Sequence, residues 1–60
     1  MKKICVIVDM MEACFDIQYI EKEFPCFIEC NKIDNTYCEV TIICRQEDVA
    51  TIENRLARVV

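Results

Sequence analysis

The stretch FPCFIECNKIDNTYCEVTIIC, residues 24–44, carries four of the chain's six cysteines, at positions 26, 30, 38 and 44. Its reading decides the fold. Two segments rich in β-branched and aromatic residues, CFIECNK and TYCEVTIICR, flank KIDNT, which has the composition of a turn. The pattern predicts a β-hairpin. A three-residue loop, a type I turn followed by a left-handed residue at Asn35, sets Lys32 opposite Thr36, Cys30 opposite Cys38, Ile28 opposite Val40 and Cys26 opposite Ile42. Cys26, Ile28 and Cys30 then share a face with Cys38, Val40, Ile42 and Cys44. Phe27, Glu29 and Asn31 share the other with Tyr37, Glu39, Thr41 and Ile43. A two-residue turn would set Cys30 against Glu39 and mix the faces.

Upstream, KICVIVD (3–9) reads as a strand. Asp9 opens DMME, a capping-box pattern with Glu12 three residues on, so a first helix is predicted over about 10–24, stopped by Pro25. Downstream, Val49, Ile52, Leu56 and Val59 recur at helical spacing and predict a second helix over about 46–59. Glu47 and Asp48 stand in its first turn and Arg55 and Arg58 near its end, as the helix dipole favours.

The order βαββα is that of an α+β, two-layer, ferredoxin-like split-βαβ sandwich lacking its fourth strand, with a three-stranded antiparallel sheet and both helices on one face. The missing strand would lie beside the first, leaving ICVIV as a bare edge. A second copy pairing edge to edge is the simplest cover. The alternative cover is a short fourth strand formed by the C-terminal RVV.

Sixty residues make one small domain, residues 1–60. A chain this short buries only roughly 60% of its unfolded surface. Yet 55% of its residues are hydrophobic, more than so thin a core hides, which points to a further surface for the remainder. The net charge of −4 argues against nucleic-acid binding, which needs clustered Lys and Arg. No apolar run is long enough to span a membrane. The opening MKKICVIVDMMEACF imitates a signal peptide, but Asp9 and Glu12 interrupt it and no small-residue cleavage site follows. It is read as mature chain, which points to a cytoplasmic, reducing setting where disulfides are rare.

Glycine and histidine are both absent. That removes glycine-rich phosphate loops, Ser-His and Cys-His catalysis and the usual mixed zinc sites. Cys26 and Cys30 are four strand residues apart, roughly 13 Å, too far to ligate one ion. No metal or cofactor is expected. The cysteines read chiefly as small apolar core residues. Cys30 and Cys38, as cross-strand neighbours, form the one possible redox pair. The carboxylate pairs Asp9 with Glu12 and Glu47 with Asp48 belong to opposite ends of the sheet, so no catalytic residue is assigned.

The first helix carries a surplus. Met10, Ala13, Cys14, Ile17, Ile20 and Phe24 form its core stripe, while Met11, Phe15 and Tyr19 form a second stripe at i, i+4, i+8. One helix face does not bury both. Met and aromatic residues on an outer face are typical of interface cores. The candidate interface is Met11, Phe15 and Tyr19 with the neighbouring strand residues Ile4, Val6 and Val8. The chain is therefore expected to be a small non-enzymatic protein that self-associates and binds or inhibits a larger protein. The alternatives are a thiol redox or metal-binding protein using the hairpin cysteines, and a regulatory domain holding a small ligand at a dimer groove.

Overall fold

The computed structural model of the protein describes residues 1–56. It has the predicted βαββα order: β1 (Lys2–Asp9), α1 (Met10–Glu23), β2 (Cys26–Lys32), β3 (Tyr37–Cys44), a 3₁₀ turn (Gln46–Asp48) and α2 (Val49–Arg55). The three strands form one antiparallel sheet in the order β1-β3-β2. The central strand is thus the last in sequence, and β1 and β2 are the edges. Both α1 and α2 pack on one face of this sheet, because Ala13, Ile17 and Ile20 of α1 and Ile52 and Leu56 of α2 and its cap join the same core. The sheet side of that core is made by alternate positions of β1 (Ile4, Val6, Val8) and β3 (Cys38, Val40, Ile42, Cys44). Period-two alternation places them there.

The start of α1 follows from its cap. The Asp9 carboxylate accepts the backbone N–H of Met11 at 3.0 Å, satisfying one of the donors a helix leaves unpaired at its first turn. The helix ends at Glu23. Phe24 is already extended, as a residue before proline prefers.

The hairpin departs from expectation in its register. The observed partners are Lys32 with Cys38, Cys30 with Val40, Ile28 with Ile42 and Cys26 with Cys44. Each β2 residue therefore pairs two positions further along β3 than predicted. The backbone N–H of Ile33 donates to the Tyr37 carbonyl at 3.0 Å, so the three-residue loop is Asp34-Asn35-Thr36 rather than Ile33-Asp34-Asn35. Asn35 is not left-handed: no described residue has a positive φ. The Asp34 side chain makes the turn instead, accepting the N–H groups of Thr36 and Tyr37, each at 2.8 Å. A shift of two keeps every side chain on its predicted face, so the core is unaffected.

Two further differences concern the helices. Met10, assigned to the core stripe, is 37% exposed; it occupies the first helical position, a turn before the first core residue, Ala13. The second helix starts later than 46, since Gln46–Asp48 is a 3₁₀ turn that holds Glu47 and Asp48. Its cap is Leu56, whose N–H donates to the Ile52 carbonyl. The predicted continuation to 59, with Arg58 and Val59, and the fold-back of RVV lie outside the described residues. Among the described residues no helix is long and apolar enough to cross a membrane.

Candidate functional site

The outer stripe of α1 is built by spacing alone. Residues at i, i+4 and i+8 follow one side of the helix, and α1 uses Ala13, Ile17 and Ile20 to face the sheet. Met11 and Phe15 are consequently 88% and 75% exposed. Tyr19, at 41%, is different. Its ring meets Phe24 edge-on with centroids 6.5 Å apart, and the Arg55 guanidinium stands 4.0 Å from its centre. Arg55 also lies 3.6 Å from the Asp16 carboxylate. Tyr19 is thereby tied into the junction of α1 and α2, while Met11 and Phe15 stand out from it. Sequence reasoning missed this clamp, because spacing within one helix carries no signal for a contact between two.

The strand residues proposed for the interface divide by backbone and side chain. Ile4, Val6 and Val8 are 5%, 6% and 0% exposed, so their side chains belong to the core and only their strand's backbone is left for a partner. What β1 offers a partner is its edge: among the described residues it pairs with β3 alone. Its odd-numbered residues face the uncovered side of the sheet, where Cys5 is exposed and lies 3.8 Å from the Thr41 hydroxyl. Further along that side, Phe27, Glu29, Thr41 and Ile43 line a groove of about 230 Å³. Phe27 is 77% exposed at its rim.

The six cysteines are free. Cys38 and Cys44 are buried, as core thiols are expected to be; Cys14 and Cys26 are half-buried; Cys5 and Cys30 are exposed. The observed register removes the direct pairing of Cys30 with Cys38 and makes them diagonal neighbours. Their thiols still interact. Partial burial raises the Cys30 pKa above that of an ordinary thiol, and the charge and hydrogen bond of Cys38 raise it further. The same direction holds for Cys26 and Cys44, for burial first and then the neighbouring thiol or carboxylates. Raised values disfavour the thiolate, the reactive and metal-binding form. Cys26 and Cys30 both sit in the unbroken strand β2, and among the described residues no three Cys, Asp or Glu side chains gather in a metal-binding group.

The carboxylates also stay apart. Asp9 pairs with Tyr37 at one end of the sheet, while Lys2 pairs with Cys44 at the other, next to Glu47 and Asp48. Asp9 is engaged as the α1 cap, and Asp48 is held by Arg45 at 2.9 Å.

Comparison with protein-family models, with curated proteins and with solved structures finds no match for this chain.

Proposed function

We propose that this protein is a small, non-enzymatic, cytoplasmic regulatory protein that associates with itself and binds or inhibits a larger protein through the outer face of α1. The observation that carries this reading is the exposure of Met11 and Phe15 together, one turn apart on a helix whose opposite face is fully engaged. Two large apolar groups held side by side in water are a ready anchor for a protein surface, and Met and aromatic residues are enriched at such anchors. Self-association is supported by the single-sided pairing of β1 among the described residues, an apolar edge of the kind that natural sheets cover. Six free cysteines fit a reducing cytoplasm.

The test is the double variant Met11→Ser, Phe15→Ser, both at exposed positions. Helical circular dichroism and assembly through the β1 edge should be unchanged, while co-purification of a stoichiometric partner should be lost. Persistence of that co-purification in the variant would mean that the stripe is not an interface.

The thiol redox reading has one point in its favour, the diagonal placement of Cys30 and Cys38 on adjacent strands. The raised pKa of Cys30 counts against it, since it lowers the share of nucleophile at neutral pH.

A further inference from the structure

Self-association through β1, as proposed above, is constrained by backbone hydrogen-bond parity to a small number of registers, and charge selects one of them. The N–H of Met10 donates to the carbonyl of Thr36 at 3.1 Å, and these residues continue the β1–β3 register. Residues opposite one another in an antiparallel pair alternate between hydrogen-bonded and non-hydrogen-bonded pairs. The even residues of β1 therefore direct their N–H and C=O groups toward β3. The odd residues Lys3, Cys5 and Ile7 direct theirs to the free edge. A second β1 docking antiparallel across a two-fold axis must match odd residues with odd residues.

The fully overlapped alignment of Lys2–Asp9 with itself matches odd with even and is excluded. Two near-complete alignments remain. One sets Cys5 opposite its own copy, leaves Lys3 opposite Ile7 and Lys2 opposite Val8, and sets Asp9 opposite Met1 rather than a lysine. The other sets Val6 on the axis, with Cys5 opposite Ile7, Ile4 opposite Val8, and Lys3 directly opposite Asp9. Lys3 and Asp9 both belong to the uncovered side of the sheet, so this alignment brings opposite charges together on that side at both ends. Asp9 remains the cap of α1 through one carboxylate oxygen, leaving the other for the lysine.

The second edge is less suited. The same parity applied to β2 follows from the Ile33-to-Tyr37 bond and leaves the even residues facing outward. Full overlap of Cys26–Lys32 is then allowed, but it sets Glu29 opposite Glu29, and like charges in direct opposition are destabilising.

We propose that two copies join through β1 with Val6 on the two-fold axis and Lys3 opposite Asp9 of the second copy, making a continuous six-stranded sheet. This rests on the self-association reading and can fail separately from it. The experiment uses the full chain as a mixed sample of isotope-labelled and unlabelled protein, after sedimentation at the same concentration. An isotope-filtered NOE spectrum should show Ile4 Hα against Val8 Hα between chains. Within one chain these residues are four strand positions, roughly 13 Å, apart, so the contact arises only between copies. A dimer whose contacts link Ile4 to Val6, or whose β1 edge contacts residues 57–60 of its own chain, overturns the proposal while leaving self-association standing. A monomer overturns both. As a second readout, Lys3→Glu should weaken dimerisation about tenfold or more by replacing two attractive cross-strand pairs with repulsive ones. Lys2→Glu, which meets no charge in this register, should leave it unchanged. Equal effects of the two substitutions would also overturn the register.

Discussion

The guanidinium of Arg55 lies 4.0 Å above the centre of the Tyr19 ring and 3.6 Å from the Asp16 carboxylate. One side chain at the end of α2 thus grips α1 at two points. Both contacts are at the surface, where a cation–π pair contributes about 0.5–1 kcal/mol and an ion pair about 0–1 kcal/mol. Arg55→Ala should lower the unfolding free energy by about 1 kcal/mol in urea titrations. Asp16→Asn should cost less. A double-mutant cycle between Arg55 and Tyr19 that returns no coupling would remove the clamp from the account.

The cap of α1 makes a second expectation. Asp9→Ala deprives the Met11 N–H of its acceptor and should cost about 1 kcal/mol, whereas Asp9→Asn retains an acceptor and should cost little. Thermal melts followed at the helical band would separate the two. Equal losses would show that charge at the dipole, not the cap bond, matters here.

The hairpin turn makes a prediction about pH. Backbone N–H bonds from Tyr37 and Thr36 hold the Asp34 carboxyl below the ordinary aspartate value of about 3.9. A carboxylate whose pKa is depressed on folding binds fewer protons in the native state than in the unfolded one. Its contribution is therefore present above that ordinary value and lost as the pH falls through the folded one. Asp34→Asn can accept the same bonds but does not titrate. The stability difference between wild type and this variant should hold steady above about pH 5 and change only in the acid range. A difference that varies near neutrality would contradict this assignment.

The core is thin enough that one deletion is decisive. Ile52 is fully buried between α2 and the sheet. Truncating a buried isoleucine to alanine costs about 2–5 kcal/mol, and a single core of this size rarely supplies more than about 3–5 kcal/mol. Ile52→Ala should leave the protein largely unfolded at 25 °C, with loss of amide dispersion in an NMR spectrum. A cooperative urea transition close to that of wild type would mean that the fold draws stability from elsewhere.

Thiol chemistry should follow burial and pKa together. With a disulfide reagent near neutral pH, exposed Cys5 should label first, and Cys38 and Cys44 only as the chain opens. Cys30 should lag behind Cys5 despite its exposure, because its pKa is raised, and the gap should narrow as the pH rises. Site-resolved mass spectrometry would show it. Prompt labelling of Cys30 at neutral pH would revive the redox reading.

The faces of the sheet were legible because side-chain alternation along Cys26–Lys32 and Tyr37–Cys44 is strict, and the helices because their apolar spacing is unambiguous. The pairing of β2 with β3 was not, because two loops of equal length compete. The left-handed tendency of asparagine favours one, and the ability of Asp34 to accept two backbone N–H groups favours the other. The second prevails. The exposed pair Met11 and Phe15 was legible as a surplus over what one helix face can bury. The different position of Tyr19 was not, since Arg55 reaches it from another element. The burial of Ile4, Val6 and Val8 follows from the same alternation that places the β3 core. An edge strand presents its backbone to a partner while its side chains on the covered face remain engaged.

The turn made by Asp34 without a left-handed residue has a practical corollary. With no glycine in the sequence and no positive φ among the described residues, none of their backbone positions depends on the absence of a Cβ. In most small proteins a systematic alanine scan is confounded where glycine must be replaced or a left-handed residue must be kept. Among the described residues an alanine substitution therefore meets no position that glycine or a left-handed residue must hold, and the unfolded chain, lacking glycine, is already restricted in the conformations it surrenders on folding. An alanine scan of residues 1–56 would be free of that particular confound.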